Sequence, residues 1–246
     1  SHNLMKTIVI IPSRMASTRF PDKPMSLIDG IPMIQRVWNQ AKIADIGPVL
    51  VACCDIEVFD LINSIGGEAI MTNPSLASGT DRVFEALRKY PEENQFESII
   101  NLQGDMPLVN PLDIKKVNTP LIQGYDIGTL VTNISISEEK NENITKTKVN
   151  WITKNKLGKA IDFYKLSKNT IIDICHHVGI YSFRYKSLKK FTELEPTYNE
   201  IHYKLEQLRA LDSNMSIGVS FVKDVPISVD TKEDLIRVEN IIKNKK

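Results

Sequence analysis

The stretch KTIVII at residues 6–11 decides the fold class of this chain. Its last five residues are β-branched and uncharged, which predicts a strand covered on both faces, as in a parallel sheet. Pro12 ends the run, and residues 33–45 then place apolar side chains at helical spacing. The opening therefore predicts a buried strand, a long loop and a helix.

The same alternation of strand and helix continues through the first half of the chain. Further strands are predicted at 49–52, 68–71 and 98–102, and further helices at 56–65, 79–90 and 111–123. This order is typical of an α/β fold with a mainly parallel sheet flanked by helices.

The second half differs, because strands follow one another with little helix between them. Strands are predicted at 127–136, 147–153, 158–164, 175–184 and 216–221, and helices at 186–193, 199–211 and 231–243. No change in composition marks a linker, so we expect one domain over residues 5–246. A mixed-strand insertion around 140–195 could form a dimerisation subdomain. Residues 1–4 resemble a cloning remnant before Met5.

The composition excludes several classes of function. Of 246 residues, 42% are hydrophobic and 25% are charged, which argues against disorder or a fibre. The 31 basic and 30 acidic side chains leave a net charge of +1, so neither nucleic acid nor a membrane surface is an expected partner. No apolar run approaches the roughly 18 residues of a membrane helix. The three cysteines, two of them adjacent, predict no disulfide framework and favour a cytoplasmic protein.

The loop at residues 12–24 places cations just beyond the first strand, where parallel sheets bind ligands. It holds Arg14, Arg19 and Lys23, whose guanidinium and ammonium groups suit phosphate. The alternative is a solvated surface loop whose charges pair with nearby acids. The loop has neither the glycine pattern of a dinucleotide site nor a P-loop.

Two aspartates are candidate ligands for a divalent cation. Asp105 follows the strand at 98–102 beside a glycine, and such a carboxylate often holds Mg²⁺; the alternative is a turn residue. Asp230 precedes the last helix, and the alternative is that Asp230 or Thr231 caps this helix, with Asp234 completing a capping box. Together the two aspartates are candidate ligands of one metal ion. A triphosphate substrate would require such an ion.

The stretch SGTDR at residues 78–82 opens a helix after the third strand. Its hydroxyls, free N–H groups and glycine permit close approach of a ligand, although Ser78 or Thr80 could simply cap the helix. Elsewhere the chain shows no serine elbow and no cysteine nucleophile context, so covalent catalysis is not favoured.

Polar residues of the second half form two more candidate groups. His176 and His177 are neighbours at the start of a strand and face opposite ways, so they cannot easily share one metal. LEQLRAL at 205–211 is predicted as a helix, with Glu206 opposite the apolar face and Gln207 at its margin. Both could face a polar ligand, or both could be a solvated surface pair.

In order and position these motifs resemble those of sugar nucleotidyltransferases, and more narrowly those of the 3-deoxy-manno-octulosonate (Kdo) cytidylyltransferases. The stretches that carry the resemblance are IPSRMASTRFPDKP (11–24), SGTDR (78–82), NLQGDMP (101–107), HHVGIYSFR (176–184), LEQLRAL (205–211) and VDTKEDL (229–235). The resemblance spans about residues 6–243. It implies a Rossmann-like fold of the nucleotide-diphospho-sugar transferase type.

The resemblance also implies a reaction and a site. CTP and Kdo would give CMP-Kdo and pyrophosphate with Mg²⁺, for lipopolysaccharide synthesis, in a homodimer. Catalytic roles would fall to Arg14, Lys23 and Asp105, and the metal to Asp105 and Asp230. Nucleotide-binding roles would fall to Arg14, Ser17, Arg19, Lys23, Ser78, Gly79 and Arg82. The sugar-acid pocket would be lined by Gln103, Lys165, His177, Tyr181, Glu206 and Gln207.

Four positions depart from the family pattern. Asp22 stands where the family has glycine, Met106 where it has an acid, and Lys165 and His176 where it has arginines. An alternative is therefore a cytidylyltransferase for a related acidic sugar, such as amino-Kdo or a sialic acid. A second alternative is a non-catalytic nucleotide-binding regulator, although a regulator has no need for two metal-binding acids.

Overall fold

The computed structural model describes residues 5–166 and 173–246. The predicted cloning remnant at 1–4 and residues 167–172 of the predicted insertion lie outside the described residues. Contacts divide the chain into two compact units. The first unit comprises Lys6–Ile114 and Pro226–Lys246, and the second comprises Met5 and Lys115–Val225. The insertion predicted at 140–195 falls inside the second unit.

Strands and helices of the described residues follow one another in chain order. The strands are β1 (Thr7–Pro12), β2 (Leu27–Ile28), β3 (Ile31–Pro32), β4 (Val49–Cys53), β5 (Glu68–Met71), β6 (Ser98–Asn101), β7 (Ile127–Thr132), β8 (Lys146–Thr153), β9 (Leu157–Tyr164), β10 (Ile174–Phe183) and β11 (Ile217–Phe221). The α-helices are α1 (Met33–Ala44), α2 (Ile56–Ser64), α3 (Gly79–Lys89), α4 (Pro111–Lys116), α5 (Thr119–Ile122), α6 (Ile136–Glu139), α7 (Tyr185–Glu193), α8 (Tyr198–Tyr203), α9 (Leu208–Asp212) and α10 (Lys232–Asn244). Short 3-10 turns lie at Lys23–Met25 and Glu93–Gln95.

The first unit contains the parallel sheet that the opening strand predicts. Its strands lie in the order β5-β4-β1-β6 and every pairing is parallel. Residues 8–11 of β1 are completely buried, as expected of a β-branched run between two covering layers. The loops after β1 and β6 leave the sheet at the same edge, because parallel neighbours share their carboxyl ends.

The second unit is mixed, as predicted for the second half of the chain. Its strands lie in the order β10-β7-β11-β9-β8, and β10 also pairs with β8. β7 and β11 are parallel, whereas the remaining pairings in this unit are antiparallel. The α/β class with a mixed sheet flanked by helices is therefore confirmed, whereas parallel pairings predominate only in the first unit.

Three predicted elements were too long. The helix expected at 111–123 is split into α4 and α5, because Pro120 lacks the N–H that would continue the first helix. The strand expected at 127–136 ends at Thr132 and gives way to α6, which begins with a capping box of Ser135 and Glu138. The single helix expected at 199–211 is also wrong, because this range contains two short helices, α8 and α9.

That last helix is interrupted at Lys204, which adopts a left-handed φ of 55° and ends α8. The next helix, α9, begins only at Leu208. Glu206 and Gln207 therefore lie in the connecting turn rather than on a helix face.

A hairpin that was not predicted follows the cationic loop. Asp29 and Gly30, with φ of 48° and 81°, turn the chain between β2 and β3. The hairpin packs with Phe20 and Met33 against Val238 of α10 in one apolar cluster. No helix of the described residues combines the length and apolarity needed to cross a bilayer.

Candidate functional site

The loop after β1 is folded back by backbone hydrogen bonds, and its arginines are left exposed. The N–H of Met15 donates to Asp55 Oδ2 at 2.9 Å, and the N–H of Asp22 donates to the carbonyl of Met15 at 3.0 Å. The side chains of Arg14 and Arg19 are exposed. The loop thus presents cations from a fixed backbone, which suits an anionic ligand.

Ser17 and Asp22 have identifiable roles within this loop. The Ser17 hydroxyl accepts a hydrogen bond from the N–H of Phe20 at 3.3 Å, so it shapes the loop. Asp22 adopts a left-handed φ of 60° directly before Lys23. Glycine adopts a left-handed conformation at the least cost, so a glycine would suit position 22. Aspartate also tolerates this conformation better than most residues.

A pocket of about 260 Å³ opens beside this loop. It is lined by Pro12, Ser13, Arg14, Leu76, Ala77, Ser78, Gly79, Arg82 and Gln103. Four of the predicted nucleotide-binding residues and one predicted sugar-binding residue, Gln103, therefore share one pocket. Ser17, Arg19 and Lys23 do not line it.

Ser78 and Arg82 also stabilise the pocket wall. Ser78 caps α3 by accepting from the N–H of Asp81 at 3.2 Å, as the capping alternative expected. Arg82 is buried, and its Nη1 donates to Thr72 Oγ1 at 2.6 Å and to the carbonyl of Asn73 at 3.1 Å. These contacts hold the guanidinium against the pocket, so less of its flexibility is lost when a ligand binds.

Hydrogen bonds to and from the backbone of Val229 connect the segments that carry Asp105, Asp230 and Lys23. The N–H of Val229 donates to the carbonyl of Asp105 at 2.8 Å, and Lys23 Nζ donates to the carbonyl of Val229 at 3.0 Å. Gly104 lets the Asp105 loop approach β1, because a Cβ there would lie 3.2 Å from the carbonyl oxygen of Pro12. One backbone arrangement thus places both acids and one cation.

The capping alternative is confirmed for Thr231 and Asp234, and it leaves the Asp230 carboxylate without a role in the cap. The capping box of α10 uses Thr231, whose hydroxyl accepts from the N–H of Asp234 at 3.1 Å, and Asp234, whose carboxylate accepts from the N–H of Thr231. The Asp230 side chain is exposed beside this box. Its carboxylate acts on Asp105 electrostatically.

The acid pair has the electrostatics of a cation site. The pKa of Asp105 is raised to about 6, because burial and, to a smaller extent, the charge of Asp230 raise it more than the charge of Lys23 lowers it. Asp105 Oδ1 is buried without a hydrogen-bond partner among the described residues. Two repelling carboxylates with an orphaned oxygen fit Mg²⁺, which is typically held by one or two carboxylates together with substrate phosphates and water. The described residues contain no cluster of three or more acidic, histidine or cysteine ligands.

A second group of predicted residues meets inside the second unit. His177 is buried, its ring lies 5.1 Å from that of Phe163 and 5.5 Å from that of Tyr181, and its Nε2 lies 2.9 Å from Thr129 Oγ1. Burial lowers the pKa of His177 to about 3, so the ring is neutral. Burial and then the nearby charge of Glu206 raise the pKa of Tyr181. His177, Tyr181 and Glu206 therefore form one cluster.

The other two predicted sugar-binding residues of the second unit, Lys165 and Gln207, lie beside a strand end and a helix start, whereas His176, one of the four departing positions, lies near the start of β10. His176 faces away from His177, and its Nδ1 lies 2.6 Å from Glu138 Oε2. Lys165 follows β9, and its backbone carbonyl accepts from Nζ of the fully buried Lys146 at 2.7 Å. Gln207 precedes α9 in the turn described above.

Sequence reasoning missed three residues that build these sites. Asp55 follows β4 at the carboxyl edge of the sheet, so the rule that singled out Asp105 would also have found it. Thr129 lies inside an apolar stretch and Val229 begins the stretch VDTKEDL, and nothing in the local sequence indicates the contacts that either residue makes.

Comparisons with known proteins show which family this chain is similar to. A family model described as cytidylyltransferase matches residues 8–217. The 3-deoxy-manno-octulosonate cytidylyltransferase of Paramagnetospirillum magneticum is 43% identical over 242 residues, covering 96% of this chain and 97% of that protein. The protein of the same name from Rhodospirillum centenum is 39% identical over 238 residues, covering 96% and 93%.

A solved structure is also similar over nearly the whole chain. It is the CMP:2-keto-3-deoxy-manno-octonic acid synthetase complexed with CTP, with a TM-score of 0.89 and 31% sequence identity. The match covers 98% of this chain and 100% of that chain. On the fold, the pocket and these comparisons together, the chain belongs to the 3-deoxy-manno-octulosonate cytidylyltransferase family.

Proposed function

We propose that this chain transfers CMP from CTP to the anomeric hydroxyl of Kdo, releases pyrophosphate and so activates the sugar for lipopolysaccharide synthesis. The observation that carries the proposal is the pocket in which Arg14, Ser78, Gly79 and Arg82 meet at the carboxyl edge of the parallel sheet. Relatives that bear the name of this activity, and a similar structure that holds CTP, support it.

The chemistry depends on positioning and charge neutralisation. The anomeric oxygen forms a bond to the α-phosphorus, the bond from that phosphorus to the bridging oxygen breaks, pyrophosphate leaves in line, and the hydroxyl proton is released. Such transfers need little covalent participation by the protein. Arg14 and Lys23 neutralise the phosphates, and Arg19 adds positive charge from the same loop. Ser78, Gly79 and Arg82 hold the nucleotide.

The acid pair would hold the metal in this proposal. Asp105 and Asp230 offer the carboxylate oxygens, and Lys23 lies close enough to lower the pKa of Asp105. When bound, Mg²⁺ supplies positive charge against the phosphates and lowers the pKa of a coordinated hydroxyl. The orphaned Oδ1 of Asp105 is the observation that favours a cation here over a structural carboxylate.

The cluster of His177, Tyr181 and Glu206 would recognise the sugar acid, with Gln103, Lys165 and Gln207 as further partners. His177 and Tyr181 are uncharged near neutral pH, since burial shifts both pKa values away from that range. Neutral hydrogen-bonding groups suit sugar hydroxyls, whereas the sugar carboxylate needs a cation such as Lys165. Lysine binds a carboxylate as a point charge without the fork of an arginine.

Pyrophosphate release with a panel of sugar acids tests the proposal. Purified protein with CTP and Mg²⁺ should release pyrophosphate when Kdo is added and should remain at background without a sugar. Release with amino-Kdo or a sialic acid but not with Kdo would select the related-sugar alternative. Tight CTP binding with no release for any sugar acid would favour the regulator.

The homodimer and the cytoplasmic location belong to the same proposal. The dimer would use the predicted surface at 140–195, and sedimentation of the purified chain would decide between a dimer and a monomer.

A further inference from the structure

We propose that Thr129 is a positioning residue that fixes the ring of His177 as the Nε2–H tautomer, so that Nδ1 accepts a hydrogen bond from a hydroxyl of the sugar acid. The tautomer follows from contacts within the second unit alone. The hydroxyl partner rests on the proposed function.

The hydroxyl of Thr129 makes three close contacts. Its Oγ1 lies 2.9 Å from His177 Nε2, 2.8 Å from the carbonyl oxygen of Ile180 and 3.2 Å from that of Val178. Thr129 itself is completely buried, so water does not compete for these contacts. The hydroxyl has one hydrogen to donate and can accept from other donors.

The two carbonyl contacts determine where that hydrogen lies. Carbonyl oxygens only accept, so an Oγ1 that gave its hydrogen to the imidazole would face both oxygens of β10 lone pair to lone pair. If the hydroxyl hydrogen points to the nearer carbonyl oxygen, that of Ile180, Oγ1 can accept a hydrogen bond from Nε2–H. The contacts with Ile180 and His177 are then both favourable. The tautomer of a histidine is set in this way by the partner of its other nitrogen.

A bulge in β10 creates the arrangement. Val178 pairs with Leu130 of β7, yet the next pair joins Tyr181 to Thr129, so Gly179 and Ile180 are left between neighbouring pairs. The carbonyls around the bulge are thereby available to a side chain of β7. Bulges commonly redirect side chains at functional sites.

A ring protonated only at Nε2 limits which ligand group can meet Nδ1. The Nδ1 lone pair accepts from a donor and repels a carboxylate oxygen. Burial keeps the ring neutral, because it lowers the pKa of His177 to about 3. His177 therefore distinguishes a sugar hydroxyl from the sugar carboxylate, which other residues must hold.

The tautomer can be measured on the full chain without any substrate. Long-range 1H–15N correlation spectra of the 15N-histidine-labelled protein distinguish protonated from unprotonated ring nitrogens, and a His177→Asn sample assigns the signal. We expect protonated Nε2 and bare Nδ1 in the wild type and in Thr129→Ser, with mixed or exchanged tautomers in Thr129→Val. Thr132→Val is the matched control, because it removes a β7 hydroxyl that donates to the Lys223 carbonyl. A protonated Nδ1 in the wild type would overturn the proposal, as would an unchanged tautomer in Thr129→Val.

Kinetics test the sugar hydroxyl separately. Thr129→Val should raise KM for Kdo about tenfold with the KM for CTP unchanged, and Thr129→Ser should restore most of the loss. An equal rise in Thr132→Val, or an equal rise in both KM values, would overturn the assignment to the sugar. A wild-type protein that makes no CMP-Kdo would refute the proposed function, while the spectra would still decide the tautomer. The wild-type and Thr129→Ser spectra remain decisive if Thr129→Val does not fold.

Discussion

The backbone carbonyl of Asp105 accepts a 2.8 Å hydrogen bond from the N–H of Val229, and this bond joins the loop after β6 to the residue before Asp230. Lys23 donates to the carbonyl of the same Val229. The contacts that position the acid pair thus come from the backbone and a lysine rather than from the carboxylates. Either carboxylate can therefore be exchanged without removing the frame that holds it.

Asp105→Asn should reduce turnover at least 100-fold and leave the protein folded. The amide keeps the shape but loses the charge that the proposed metal requires. The exchange should also raise the free energy of unfolding at pH 7–8 by about 1–3 kcal/mol, because it removes the cost of ionising a carboxyl whose pKa is about 6. Steady-state rates and thermal melts measure the two effects. Asp60→Asn, an exposed aspartate of α2, is the control, and wild-type turnover in Asp105→Asn would refute the metal assignment.

The requirement for Mg²⁺ should increase as the pH falls. An acid with a raised pKa takes up a proton as the pH drops through about 6, and that proton competes with the cation. The Mg²⁺ concentration for half-maximal rate should thus be about tenfold higher at pH 5 than at pH 7.5. Titrations of rate against Mg²⁺ at several pH values provide the measurement. A midpoint that does not change with pH would mean that Asp105 is not a ligand.

The same shift predicts how stability changes with pH. The folded protein holds the Asp105 proton more tightly than the unfolded chain, so this group's contribution to stability is present at low pH and declines as the pH rises from about 4 through 6. Asp105→Asn should remove that decline from the unfolding free energy. An identical pH dependence in both proteins would contradict the raised pKa.

Arg14→Lys should weaken CTP binding without affecting stability. The exposed guanidinium of Arg14 is the only fork-shaped cation of its loop that lines the pocket among the described residues, and lysine keeps the charge but not the fork. The expected loss in kcat/KM is about 10- to 100-fold, the size of a charged hydrogen bond. Arg88→Lys on α3 should have no effect. An unchanged KM for CTP would exclude Arg14 from phosphate binding.

Exchanges at Asp22 separate charge from backbone conformation. Asp22→Asn removes the negative charge beside Lys23 and keeps a residue that tolerates the left-handed φ of 60°. Asp22→Gly removes the charge and relieves the conformation, with a change in stability within about 1 kcal/mol. Both should lower the KM for CTP by a similar factor if the charge matters. A lower KM in Asp22→Gly alone would assign the effect to the backbone.

The sequence predicted the parallel half of the fold because its signals are local. A buried β-branched run such as residues 7–11 has few alternatives to a covered strand, and loops at carboxyl edges can be found by counting strands. Asp105 and Arg14 were candidates for this reason. The Asp29-Gly30 turn of the unpredicted hairpin is an equally local signal.

Local sequence signals do not predict the break in the helix expected at 199–211 or the contacts of Thr129. Lys204 adopts a left-handed conformation that is not expected for lysine. The sequence pattern therefore predicts Glu206 and Gln207 on a helix face, whereas they lie in a turn. The Thr129 contacts depend on a two-residue bulge in a strand distant in sequence. Register between distant strands is decided by packing, which periodicity does not reveal.

Radioactivity at the α-phosphorus of CTP follows the proposed transfer of CMP to a Kdo hydroxyl directly. Protein incubated with α-labelled CTP, Kdo and Mg²⁺ should convert the label into a product that migrates as CMP-Kdo, with one pyrophosphate released for each product formed. Label that remains in CTP, or that appears only as free CMP, would contradict the account.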